Sequence, residues 1–124
     1  MRTWFITGAS RGFGLELARQ ALRQGHRVAA TSRDAAELRR AIGPKSDSFL
    51  PLAVDLTKEV SVAEAVRATV ERFGRIDVVV NNAGYGQLGS LEELSDAESR
   101  TNFDVNVFGT LKVIRQVMPH LRRQ

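Results

Sequence analysis

Between Thr7 and Gly14 the chain reads Thr-Gly-Ala-Ser-Arg-Gly-Phe-Gly, placing three glycines, a hydroxyl and a guanidinium in one short segment. It follows the apolar run Trp4-Phe5-Ile6 and opens an apolar pattern at Leu15, Leu17, Ala18, Ala21 and Leu22, near helical spacing. Glycines at a strand-to-helix junction let the main chain turn tightly and approach a diphosphate. The helix behind them aims its free N–H groups and positive dipole end at that anion. Ser10 and Arg11 add side chains that reach phosphate oxygens. The chemistry indicated is dinucleotide binding, with Gly8, Ser10, Arg11, Gly12, Phe13 and Gly14 around the diphosphate. A glycine-rich turn also serves steric ends at many strand–helix junctions, and Gly14 has such a second reading as a helix–sheet packing position.

The end of the second apolar run, Thr31-Ser32-Arg33-Asp34, bears on which dinucleotide is taken. An acidic side chain here binds the ribose hydroxyls of NAD, whereas an arginine accommodates the 2′-phosphate of NADP. Arg33 follows the run at once, and Arg11 is placed to flank the same phosphate. Asp34 stands three residues before Glu37, a capping-box spacing that accounts for it as a helix cap. NADP(H) is therefore expected over NAD(H), with NAD still possible.

Three further motifs lie downstream: Val54-Asp55-Leu56-Thr57, Asn81-Asn82-Ala83-Gly84, and Asn106 within Asp104-Val105-Asn106-Val107-Phe108-Gly109. Together with the glycine turn, and in this order, they resemble the short-chain dehydrogenase/reductase family over nearly the whole chain. The resemblance implies an oxidoreductase that transfers hydride between a nicotinamide and a carbonyl or alcohol carbon. It puts Asp55 at the adenine with the Leu56 main chain beside it, and Asn82, Ala83 and Gly84 along the cofactor. Asn106 would help hold a water in a proton relay, and the last helix would contribute to a homo-oligomer interface. Simpler readings stand beside these. Asp55 or Thr57 can cap the next helix; Asn106 can be a satisfied inward amide; Asn81 can satisfy backbone groups between strands.

One part of the pattern has no match. The family's proton donor is a tyrosine in Tyr-x-x-x-Lys, with a serine that orients the substrate oxygen. Here Tyr85 is the only tyrosine, and Gly89 stands four residues on. The expectation is the cofactor-binding half of a longer enzyme, incomplete and inactive alone. The alternative is a non-catalytic dinucleotide-binding or subunit-interaction module.

Bulk composition agrees with an expectation of one domain over residues 1–124. The chain is 43% hydrophobic, enough for a real core, and has no cysteine, which suits a reducing cytoplasm. No apolar run approaches the ~20 residues of a membrane span. The net charge of +4 comes with scattered arginines, among them Arg19, Arg23, Arg39, Arg67, Arg72, Arg100 and Arg115, on polar helix positions. Without a basic cluster interleaved with aromatics, no nucleic-acid partner is expected.

The elements that must hold these motifs alternate. Strands are expected at 2–7, 27–32, 49–54 and 76–80, and helices at 13–24, 34–42, 59–73 and 96–121. Asp34…Glu37 and Ser61…Glu64 have capping-box spacing, and Val62, Val66, Val70 and Phe73 form one stripe. Such alternation implies right-handed crossovers and a parallel sheet. The fold expected is doubly wound α/β, Rossmann-type, of order 3-2-1-4, ending after its fourth βα unit. Val78-Val79-Val80 reads as a strand suited to burial on both faces, which residues 1–124 alone would leave as a bare edge. In the last helix Phe103, Val107, Leu111, Ile114, Met118 and Leu121 read as the main stripe, with Val105 and Phe108 on a second contact surface.

Overall fold

Side-chain alternation along short apolar strands divides the interior between two faces of one sheet. A computed structural model describes residues 1–124. The elements run β1 (Thr3–Ile6), α1 (Gly12–Arg23), β2 (Arg27–Ser32), α2 (Ala35–Ala41), β3 (Phe49–Ala53), α3 (Glu59–Phe73), β4 (Val78–Val80), α4 (Asp96–Phe103), a π-helical segment (Asp104–Gly109) and α5 (Thr110–Arg123). The strands form one parallel sheet of order β3-β2-β1-β4, as expected. Phe5 pairs with Ala29 of β2 and with Val79 of β4.

Phe5, Ala29 and Leu50 join Val62, Val66 and Phe73 of α3 and Val113 and Val117 of α5 in one core. Ile6, Val28, Ala30 and Phe49 join Ala18 and Ala21 of α1 and Leu38 of α2 in the other. Each pair of helices thus covers one face, and the carboxyl ends of all four strands open on the same side. Helix ends also follow the sequence: Gly25 (φ 81°) and Gly74 (φ 82°) take left-handed conformations just past α1 and α3.

Three local expectations are corrected. β4 is the expected edge strand, with β1 as its one partner, but the two-sided burial its apolar run suggests is not reached: Val78, Val79 and Val80 are all half-buried. The spacing at Ser61 is not a cap: Lys58 precedes α3, and the Ser61 hydroxyl accepts instead from the Asp55 N–H at 2.9 Å. The reciprocal capping box of the chain is Ser95 with Glu98, at the start of α4.

The third correction concerns the last helical stretch. Phe103, Val107, Leu111 and Ile114 are exposed, whereas Gly109, Val113 and Val117 face the core. The stretch carries two apolar faces, and close approach selects the one with smaller side chains. A Cβ on Gly109 would lie 3.1 Å from the Leu56 Cβ, so a bulky stripe cannot sit there. Met118 and Leu121 of the expected stripe are half-buried.

Asp77 ties the entry of β4 to β1. Its carboxylate accepts from the Thr3 N–H at 2.8 Å and from the Arg75 Nε–H at 2.7 Å, while its own N–H donates to the Thr3 carbonyl. Burial pushes this carboxyl up, but the Thr3 N–H and the Arg75 guanidinium outweigh it and hold it below its ordinary value. A carboxyl depressed in the folded state stabilises the fold above its unfolded pKa, and that contribution is lost as pH falls through the folded value. Urea midpoints are expected to fall as pH drops below about 5, and Asp77→Asn to flatten that slope. A variant with the unaltered slope would show that Asp77 carries none of it.

Candidate functional site

A cavity of about 660 Å³ opens at the carboxyl ends of the strands, where β1 and β4 diverge into different loops. The turn after β1 forms its floor. Gly8 (φ 64°) and Gly12 (φ 62°) adopt left-handed conformations there, and a Cβ on Gly8 would come within 2.8 Å of the Ala83 Cα. Arg11 precedes α1 in extended conformation and gives the helix no side-chain cap, and the first turn contains no acidic residue. The leading N–H groups of α1 are thus without a side-chain acceptor at the cavity floor. Ser10, Arg11, Gly12 and Phe13 line that floor, with Phe13 largely exposed.

Gly14 lies elsewhere. It is buried and does not line the cavity; a Cβ on it would meet the Asn82 Nδ2 and the Gly8 carbonyl oxygen, each at 2.5 Å. Its packing reading holds, because the helix can cross the turn this closely only without a side chain.

One wall comes from the ends of β2 and β3. Thr31, Ser32 and Arg33 line it with Glu37 of α2, followed by Val54, Asp55 and Leu56. Arg11 and Arg33 are exposed and make no ion pair or side-chain hydrogen bond, so both guanidinium groups stand available at the cavity. Asp34 caps α2 by accepting from the Ala36 N–H at 2.9 Å, but the box with Glu37 does not close. Asp55 closes its own turn, accepting from the Thr57 hydroxyl at 2.6 Å and the Thr57 N–H at 2.9 Å. Those two bonds, the hydroxyl first, hold its carboxyl below its ordinary value. Asp55 therefore lines the cavity and closes a local turn, but it does not cap the next helix: α3 begins after Lys58 with no side-chain cap.

The opposite wall is Asn82, Ala83, Gly84 and Tyr85. Here the structural amide is Asn82, not Asn81: the Asn82 Nδ2 donates to the carbonyls of Thr7 (3.2 Å) and Gly8 (3.0 Å), whereas Asn81 is exposed without a side-chain bond. Two adjacent amides after a strand point to opposite sides, and the second is the one turned toward the glycine turn. Thr7, buried at the end of β1, supplies the matching acceptor. Its hydroxyl oxygen takes the N–H groups of Asn82 (3.2 Å) and Ala83 (3.0 Å). Thr7 is the structural key that motif reading passed over; a polar residue closing an apolar strand was its signal.

Asn106 stands behind this wall, in the π-helical segment. Its Oδ1 accepts from the Tyr85 N–H at 3.0 Å, and its Nδ2 donates to the Tyr85 carbonyl at 2.7 Å. Asn102 donates to the same carbonyl at 3.0 Å. The satisfied-amide reading of Asn106 is thus realised, and its main effect is to fix Tyr85. Val105, one residue before, turns toward the cavity. π-helical turns occur often at functional sites, and here the turn brings both groups to the wall.

Residues 2–124 match the family described as short chain dehydrogenase. The chain belongs to this family. Among its relatives is oxidoreductase BOA17 of Botryotinia fuckeliana, 39% identical over an alignment of 124 positions that covers 99% of this chain and 45% of the relative. Among solved family structures, 3-ketoacyl-(acyl-carrier-protein) reductase from Brucella melitensis complexed with NADH superposes with a TM-score of 0.92 at 35% identity, covering 98% of this chain and 51% of that one. An alcohol dehydrogenase from Thermococcus sibiricus complexed with 5-hydroxy-NADP gives 0.89 at 35% identity, covering 99% and 54%. The chain therefore spans about half the length of the short-chain dehydrogenases it matches, and the part it spans contains the glycine turn and both cavity walls.

Proposed function

We propose that this chain is the cofactor-binding half of an NADP(H)-preferring oxidoreductase that exchanges hydride with a carbonyl or alcohol carbon of a small molecule. The carrying observation is the uncapped start of α1 beside Gly8, facing a cavity where Arg11 and Arg33 have no anionic partner. A dinucleotide fits that arrangement: the diphosphate meets the helix N–H groups, and the space beside Gly12 is open. When bound, the nicotinamide would give hydride to a carbonyl carbon or take it from an alcohol carbon. The residues of this chain bind and orient it: Ser10, Arg11 and Gly12 at the diphosphate, Asp55 and Leu56 at the adenine, Asn82, Ala83 and Gly84 along the opposite wall. Asn106 supports the reacting end through Tyr85. Family structures with NADH and with 5-hydroxy-NADP show that the fold takes either form of cofactor, so the preference rests on Arg33 and Arg11.

No helix is long and apolar enough to cross a membrane, and the lack of cysteine supports a reducing cytoplasmic setting. The exposed face of Phe103, Val107, Leu111 and Ile114 suits the subunit contact that the family resemblance implies.

Arg33→Ala is expected to weaken NADPH binding at least about tenfold while leaving NADH binding within about twofold, since a charge-assisted bond to the 2′-phosphate is lost. Calorimetric titration of each dinucleotide checks this. Equal losses for both would remove the NADP(H) assignment, and no binding of either would remove the dinucleotide reading.

A further inference from the structure

Glu37 is the one residue of the β2 wall whose spacing suggested a role that it does not take. A capping box would have its carboxylate accept from the Asp34 N–H. In the structure that N–H donates instead to the Ser32 hydroxyl at 3.1 Å, and the same hydroxyl donates back to the Asp34 carbonyl at 2.9 Å. The cap is complete without Glu37. Its carboxylate makes no hydrogen bond and no ion pair, is exposed, and lines the same cavity as Arg33, four residues further along the chain.

The other acids in this neighbourhood are committed. Asp34 binds the Ala36 N–H, and Asp55 binds Thr57. Glu37 is thus the only uncommitted anion on a wall that otherwise offers the free guanidinium of Arg33. A phosphate monoester near neutral pH brings about −1.5 to −2 charges. At the end of β2 it would gain from Arg33 and be repelled by Glu37; a ribose hydroxyl there would feel neither strongly.

We propose that Glu37 is a specificity-determining residue which opposes the 2′-phosphate, holding down the preference that Arg33 creates and keeping the site open to both forms of the cofactor. The inference rests on the dinucleotide reading above. It implies that the selectivity of this site is a balance of two opposed charges on one cavity wall, rather than the presence or absence of an arginine.

The test is calorimetric titration of the chain with ADP-ribose and with 2′-phospho-ADP-ribose, which differ only in the phosphate at issue. Glu37→Gln is expected to tighten binding of the 2′-phospho form by about three- to tenfold, with ADP-ribose within about twofold, and the gain should shrink at high salt. Glu37→Lys should act in the same direction and more strongly. Unaltered ADP-ribose binding also shows that the variants are folded. If the unsubstituted chain binds both probes and Glu37→Gln leaves their ratio unchanged, the inference fails and the dinucleotide reading stands. If binding of the 2′-phospho form weakens, Glu37 supports Arg33 instead, which equally overturns it. If the unsubstituted chain binds neither probe, the dinucleotide reading fails and takes this inference with it.

Discussion

Gly14→Ala is expected to destabilise the chain by about 2–4 kcal/mol, against the trend for an alanine inside a helix. Helix propensity alone would favour the change by about 1 kcal/mol, because alanine orders at lower entropic cost. Sterics decide otherwise. The added Cβ would stand 2.5 Å from the Gly8 carbonyl oxygen and 2.5 Å from the Asn82 Nδ2. The carbonyl belongs to backbone, and Gly8 is itself confined, with the space a Cβ would need already taken by Ala83. The Asn82 amide cannot yield freely either, since it holds the carbonyls of Thr7 and Gly8. Relief must come from α1 lifting off the turn, which opens the packing of Ala18 and Ala21 on the sheet. Gly86 supplies the control: it has no positive φ, a Cβ there meets nothing within 4 Å, and Gly86→Ala should be nearly neutral. Urea denaturation of the two variants separates these outcomes, and a Gly14→Ala variant as stable as the parent would refute the close-packing account.

The sheet and its helices were legible because each depends on short-range pattern. Val62, Val66 and Phe73 fall on one side of α3 whatever the rest of the chain does, and they lie in the core as expected. Glycines past α1 and α3 mark helix ends through their own backbone freedom. The cavity was legible for a related reason, since it is built mainly from main-chain geometry: close approach requires small residues at Gly8, Ala83 and Gly84, and a left-handed turn requires glycine at Gly12. What stayed hidden depends on choices between equivalent local patterns. The last helical stretch has two apolar faces, and only its distance from Leu56 selects the smaller one. Asn81 and Asn82 are the same residue type in adjacent positions, distinguished by which one the strand turns toward β1. The Asp34…Glu37 spacing is valid capping chemistry, displaced by a serine hydroxyl already in place at Ser32. In each case the competing interaction is non-local or comes from a neighbour that the motif does not include.

Thr7→Val tests whether the hydroxyl at the end of β1 assembles the cavity wall. Valine has nearly the shape of threonine, so the β1 backbone and its packing persist; the hydroxyl alone is removed. Two N–H groups, of Asn82 and Ala83, then lose their acceptor at a position where Thr7 is 1% exposed. An unmet buried donor costs about 1–3 kcal/mol. Asn82 and Ala83 are themselves only half-buried, so water recovers part of that, and a net loss of about 2–3 kcal/mol is expected. The larger consequence is geometric. The Thr7 hydroxyl is what fixes the Asn82 and Ala83 main chain against the glycine turn, and without it the wall opposite Arg33 is free to move away from the diphosphate floor. ADP-ribose affinity should therefore fall at temperatures where circular dichroism still shows a folded chain. Thr7→Ser keeps the oxygen and should retain most of both properties. If Thr7→Val loses stability yet binds ADP-ribose as well as the parent does, the hydroxyl stabilises the fold without shaping the site, and the wall must be held by the Asn82 side chain alone.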